Sequence, residues 1–206
     1  MEKAWREKFG CPCGAADIDA MYADFLPMQK SVLLEHSQVI AGVADAVAAC
    51  RQRGLKIGSS TGYTRELMEI VSRAAREQGY EPNCVLCAED APRGRPAPYL
   101  LYEAAMRLSV YPTWTMVNVD DTPVGIQAGR NAGCWCVGIT RTGNGVGLSA
   151  EEAAKLSQAE LRQSCDAAGD QLKAAGAHFL LESVAEIPAL LTEIEQRAAR
   201  GELPLP

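Results

Sequence analysis

The chain has 206 residues, 48% of them hydrophobic, with 26 acidic against 20 basic residues and a net charge of −6. That is enough apolar material for one domain, or one domain with an appendage, and too much for a disordered chain. The acidic balance argues against nucleic acid as the main partner, and no apolar run is long enough to span a bilayer. The charged start, Met-Glu-Lys-Ala-Trp-Arg-Glu-Lys, lacks a secretory apolar region, so a cytoplasmic protein is expected.

In chain order, residues Ala15–Leu34 read as an amphipathic helix. Asp17 is its cap, and Ile18, Met21, Tyr22, Phe25 and Leu26 form one face. A helix over Val43, Ala46, Val47 and Cys50 ends at Gly54, and a strand over Leu55–Gly58 follows. A helix from Thr64 through Arg76 carries Leu67, Ile70, Val71 and Ala74. Cys84–Ala88 is the next strand, and a helix then bears Tyr99, Tyr102, Met106 and Leu108. Strand Thr115–Val119, a short helix Val124–Asn131 and strand Trp135–Thr140 continue the rhythm. Leu148–Ala177 is a polar helical insertion with two capping boxes, Ser149 to Glu152 and Ser157 to Glu160. Strand His178–Leu181 and a last helix opened by Ser183 and Glu186 complete the chain. This alternation predicts an α/β fold, a parallel sheet covered by helices on both faces.

The eight cysteines include three close pairs, Cys11/Cys13, Cys84/Cys87 and Cys134/Cys136. Residues three apart on a strand face opposite sides, so Cys84 and Cys87 are poor partners for one metal ion. Buried thiols in a reducing compartment are the plainer reading. His178 reads as a packed core histidine and His36 as a solvated residue at a helix end.

Three strand ends carry polar groups that apolar strands do not need. They are Thr61-Gly62-Tyr63, Gly94-Arg95-Pro96 and Asp120-Asp121-Thr122. In an open α/β sheet, ligands bind beyond the carboxyl ends of the strands, so the three converge on one crevice. A hydroxyl and backbone amides with a helix N-terminus behind them hold phosphoryl oxygens, and a guanidinium neutralises them. A carboxylate repels such oxygens but holds Mg²⁺, which bridges the two. Taken singly, Thr61 also suits a helix cap, Arg95 a surface loop, and Asp120-Asp121 a cap with its neighbour.

The segments Gly58-Ser59-Ser60-Thr61-Gly62-Tyr63-Thr64-Arg65-Glu66-Leu67-Met68, Gly94-Arg95-Pro96, Asp121-Thr122 and Gly129-Arg130-Asn131-Ala132-Gly133 carry a family resemblance, which extends to Gly176-Ala177-His178. The chain resembles the phosphonoacetaldehyde hydrolase (phosphonatase) family of the haloacid dehalogenase superfamily. The resemblance implies a Rossmann-like core and Mg²⁺-dependent cleavage of the carbon–phosphorus bond of phosphonoacetaldehyde to acetaldehyde and phosphate. It implies a cap lysine that forms a Schiff base with the aldehyde, and an aspartate that takes the phosphoryl group. By position, Thr61 and Gly62 would bind the phosphoryl group, Arg95 would neutralise it, and Asp121 would hold Mg²⁺. The implied partners are a small phosphonate substrate and a second copy docked through the cap.

The sequence departs from that pattern in three places. The nucleophile motif, a strand ending in Asp-x-Ala-Gly-Thr, does not occur, and Lys3, Lys8 and Lys30 lie in the wrong context for the cap lysine. Gly125 stands where many superfamily members carry a second acid, a role left to Asp120 or solvent. Residues 1–36 are therefore expected to be a remnant of the helical cap and residues 37–206 the hydrolase core. The missing strand belongs between those ending at Thr61 and Asp121, which leaves two open edges. A marginally stable chain without turnover is expected, as a fragment in preference to a decayed relative. A generic capped phosphatase and a non-catalytic phosphate- or partner-binding domain are the alternative readings.

Overall fold

A computed structural model describes residues 2–33 and 35–204, with side chains from Trp5 onward; Leu34, the expected end of the first long helix, Lys3's side chain, Leu205 and Pro206 lie outside the described residues. The strands are β1 (Gly58–Ser60), β2 (Cys84–Leu86), β3 (Val117–Asp120), β4 (Trp135–Ile139) and β5 (Phe179–Leu181). The helices are α1 (Glu2–Phe9), α2 (Ala15–Leu33), α3 (Val43–Gln52), α4 (Arg65–Glu77), α5 (Tyr99–Leu108), α6 (Pro123–Ala132), α7 (Ala150–Lys155), α8 (Gln158–Ala174) and α9 (Ile187–Ala199). All strand pairs are parallel, and the fold is the α/β arrangement that the alternation predicts.

β4 shows why the core forms where it does. All five of its residues are buried. Alternate side chains point to opposite faces, as in a strand covered on both sides. Trp135, Val137 and Ile139 pack with Cys50 of α3 and Ile187, Leu191 and Ile194 of α9. Cys136 points the other way, to Ile126 of α6 and Leu172 of α8. Burial pushes the Cys134 and Cys136 thiols up to about 12, so both stay protonated at neutral pH. Among the described residues no cluster of three or more His, Cys, Asp or Glu could hold a metal ion.

The strands form two sheets, β1–β2 and β3–β4–β5. Asn83 N–H donates to Ile57 O at 2.7 Å and Thr61 N–H to Leu86 O at 2.9 Å. Residues 57, 59 and 61 thus face β2, and Gly58 and Ser60 turn their backbone groups to the opposite edge. Trp135 N–H donates to Met116 O at 3.0 Å. By the same alternation, Val117 and Val119 present theirs away from β4. β1 and β3 therefore each carry an open edge, and their carboxyl ends lead into Thr61 and Asp121.

Several element boundaries differ from the sequence reading. The ladder of β1 starts at Gly58 instead of Leu55, because Ile57 N–H is taken by the Asn83 side chain at 2.8 Å and Leu55 is exposed. β3 starts at Val117, after a turn of 3₁₀ helix over Thr113–Thr115. β2 ends at Leu86, and Ala88–Asp90 is a 3₁₀ turn because Asp90 folds back onto Cys87 N–H. α5 buries Leu100, Ala104, Ala105 and Leu108, leaving Tyr99, Tyr102 and Met106 exposed. α2 buries Leu33 and packs on α4, so Ile18, Tyr22 and Phe25 of the expected apolar face are exposed. Asp17 is not the cap residue as expected: Gly14 precedes the helix, and Asp17, in its first turn, reaches back to accept from Gly14 N–H at 2.8 Å. The boxes at Ser149 and Ser157 form as the sequence predicts; that at Ser183 also forms but opens a 3₁₀ turn over Val184–Glu186, and α9 begins only at Ile187.

Two polar contacts anchor these layers. The Asp90 carboxylate, 8% exposed, accepts from Cys87 N–H at 2.7 Å and from Arg65 and Arg107 at 2.8 Å each. The Cys87 backbone bond and the Arg107 guanidinium bring its carboxyl down to about 2. His178 Nδ1 accepts from Cys136 N–H at 2.9 Å, beside the Trp135 ring and the Arg130 guanidinium. Burial, then the Arg130 charge, lowers the imidazole to about 4.

Asp90→Ala should lower the unfolding free energy by about 1–3 kcal/mol in urea titrations at pH 7. Asp90's contribution is complete above the ordinary carboxylate value of 3.8 and is lost as pH falls through about 2. His178 acts in a different window. Between 6.5 and about 4 the unfolded chain takes up a proton that the folded chain refuses. Stability should therefore rise with pH across that window, and His178→Gln should flatten the slope in urea midpoints.

Candidate functional site

The loop after β1 is shaped by hydrogen bonds that begin in the ladder. Thr61 N–H extends the β1–β2 pairing by one residue, and Thr61 Oγ1 accepts from Tyr63 N–H at 3.1 Å. This small hydroxyl turn leaves the Thr61 O–H free to donate outward. Gly62 lies in open space, with no heavy atom within 4 Å of where a Cβ would stand. Ala88 N–H donates to Tyr63 O at 3.0 Å and ties the loop to the turn after β2. The N-terminus of α4 is not available as the sequence suggests. Glu89 accepts from Arg65 N–H through both carboxylate oxygens, at 3.1 and 3.2 Å, and so caps the helix. Thr64 sits at the capping position without a cap bond, its Oγ1 buried and lacking a partner among the described residues.

Arg95 lies in the loop between β2 and α5, its side chain 26% exposed. Nη2 donates to Ser60 O at 2.9 Å and to Ser60 Oγ at 3.2 Å, and stands 3.6 Å from Asp120 Oδ2. One nitrogen thus touches the carboxyl ends of both open-edged strands. Nη1 and Nε have no partner among the described residues. Asn131 Nδ2 donates to Pro96 O at 2.9 Å and holds the same loop against the end of α6.

The third strand end turns sharply into α6. Thr122 is the N-cap and accepts from Gly125 N–H at 3.1 Å, and Pro123 occupies the first helical position, where no N–H is needed. Asp120 Oδ1 accepts from Thr122 N–H at 2.9 Å and from its hydroxyl at 2.7 Å. Asp121 Oδ2 accepts from Asn144 N–H at 2.7 Å, in the loop that follows β4. That loop comes close because residue 143 is glycine: a Cβ there would lie 2.6 Å from Asp121 Cβ and 2.6 Å from Ile139 O.

Arg95 is therefore brought together with the residues beside Thr61 and Asp121, namely Ser60 and Asp120. The Thr61 and Asp121 side chains themselves bond to Tyr63 and Asn144. Sequence reasoning missed four participants: Ser60, Glu89, Asn144 and the packing of Asp120. The stretch Thr142-Gly143-Asn144-Gly145 was the available signal, since it follows a strand and is rich in turn residues.

The donor set suits a hard divalent cation in one respect. Asp121 Oδ1 has no partner among the described residues, and Mg²⁺ is commonly held by one or two carboxylates with waters and ligand oxygens supplying the rest. It does not suit a cage built wholly from protein ligands.

A family model described as haloacid dehalogenase-like hydrolase matches residues 2–133. The phosphonoacetaldehyde hydrolase of Paraburkholderia phytofirmans is 42% identical over 202 residues, covering 98% of this chain and 76% of that one. That of Vibrio vulnificus is 38% identical over 205 residues, covering 99% and 76%. The crystal structure of a phosphonoacetaldehyde hydrolase-like protein from Oleispira antarctica superposes with a TM-score of 0.93 at 36% identity, covering 98% of this chain and 74% of that one. On this similarity over nearly its whole length, the chain belongs to the phosphonoacetaldehyde hydrolase family, within the haloacid dehalogenase-like hydrolases.

Proposed function

We propose that the crevice at the carboxyl ends of β1 and β3 binds the phosphoryl group of phosphonoacetaldehyde, for cleavage of its carbon–phosphorus bond in phosphonate catabolism. The observation that carries this reading is the posture of Arg95. It is anchored through Nη2 alone and keeps Nη1 and Nε for an oxyanion. The Thr61 hydroxyl and Gly62 backbone would bind the same oxygens, and Arg95 would neutralise the charge as it shifts in the transition state. Asp121 would hold Mg²⁺, which when bound supplies a positive charge shared by carboxylate and phosphoryl oxygens.

Transfer of the phosphoryl group also needs a nucleophile and an electron sink. The family's Asp-x-Ala-Gly-Thr motif and its cap lysine do not occur in the 206 residues. We therefore propose that the chain as given binds the phosphoryl group without turning the substrate over. Residues 1–36 are proposed as a cap remnant and residues 37–206 as the core, in keeping with the uncovered apolar face of α2 at Tyr22, Phe25 and Met28. A face of that kind suits a cap-to-cap homodimer.

Isothermal titration with inorganic phosphate and Mg²⁺ tests the binding site. Arg95→Ala should raise Kd about tenfold to a hundredfold, the worth of about 1.5–3 kcal/mol for a charge-assisted bond. An unchanged Kd would remove Arg95 from the site. Acetaldehyde release from phosphonoacetaldehyde, followed by coupled reduction, should be at background for the 206-residue chain. Turnover above background would show that another carboxylate serves as nucleophile.

A further inference from the structure

Gly125 is the third residue of α6, a position where alanine would ordinarily strengthen the helix. Here the space is taken. A Cβ at residue 125 would lie 2.0 Å from Asp120 Cγ and 2.1 Å from each of its carboxylate oxygens. The Asp120 carboxylate therefore sits where the side chain of residue 125 would be. It is 10% exposed and is held there by the Thr122 N–H and hydroxyl at Oδ1. Oδ2 is left facing Arg95 Nη2 at 3.6 Å.

This geometry has a direct consequence for Arg95. A long side chain with several rotatable bonds points at a ligand only if something fixes it, and mobility lost on binding weakens affinity. On one side Arg95 is fixed by Ser60, and on the other the sole charged partner within ion-pair distance among the described residues is Asp120. We infer that Asp120, seated in the vacancy left by Gly125, is a positioning residue that aims the guanidinium of Arg95 at the bound oxyanion. The inference deepens the phosphoryl-binding reading and rests on it. It also explains why a carboxylate is tolerated beside an anion site: its charge faces the anchored nitrogen, and the open nitrogens face the ligand.

The first variant keeps every charge in the chain. Gly125→Ala leaves Asp120 and Arg95 intact but must expel the carboxylate from its seat. It should weaken phosphate binding at least about tenfold by titration calorimetry and lower Tm, although alanine favours a helix. The double variant Asp120→Gly/Gly125→Ala removes the collision. It should raise Tm above that of Gly125→Ala but keep the weak phosphate affinity, even though a negative charge has been taken from the neighbourhood of the anion. The Arg95 Nε–H signal in ¹⁵N NMR, identified with Arg95→Lys, should be sharp in the wild type and lost by exchange in both variants. Wild-type phosphate affinity in either the single or the double variant would overturn the positioning role. A wild-type chain with no phosphate affinity would instead overturn the phosphoryl-binding reading, and this inference with it.

Discussion

Two strands of this protein end side by side without sharing a ladder, and a single guanidinium nitrogen spans them. Arg95 Nη2 reaches the Ser60 carbonyl on β1 and the Asp120 carboxylate on β3. Backbone groups on the open edge of a strand have no partner of their own. Ser60 O is one such group, and Arg95 satisfies it with a charged donor. A bond of this kind contributes roughly 1.5–3 kcal/mol, more than a typical neutral one. The same contact thus serves the fold and sets the geometry of the candidate site.

That arginine is placed by acids. Asp90 ties the turn after β2 to α4 through Arg65 and to α5 through Arg107, and Glu89 closes the N-terminus of α4. Asp120 meets Arg95 from the far strand. An acidic chain can therefore keep a locally exposed guanidinium, because these carboxylates are spent on backbone amides and on arginine nitrogens already anchored to the fold. The loop carrying Arg95 is further held by Asn131 from α6, so it is tied to elements on both sides of the sheet gap.

Much of the fold was readable because its signals are local. Capping boxes at Ser149, Ser157 and Ser183 need only a hydroxyl and a glutamate three residues on, and all three form. Helices α3 and α4 follow their apolar periodicity closely. Strand limits were less readable. The start of β1 depends on Asn83, a residue 26 positions away, whose side chain takes the Ile57 N–H. The exposed face of α5 likewise depends on what packs against it: Leu100 and Ala104 meet Leu86, and the larger Tyr99, Tyr102 and Met106 do not. The short helix α1 lacked any pattern that set it apart from a charged tail.

The sequence alone determined the alternating α/β order, the three polar strand ends and the family, since each rests on residue type at short spacing along the chain. Tertiary structure decided which of those residues touch. It seated Asp120 over Gly125, gave Asp121 to Asn144, and closed the α4 terminus with Glu89. The last two are contacts between loops at the ends of different strands. Their spacing in space is set by helix packing and sheet twist, quantities that no run of neighbouring residues encodes.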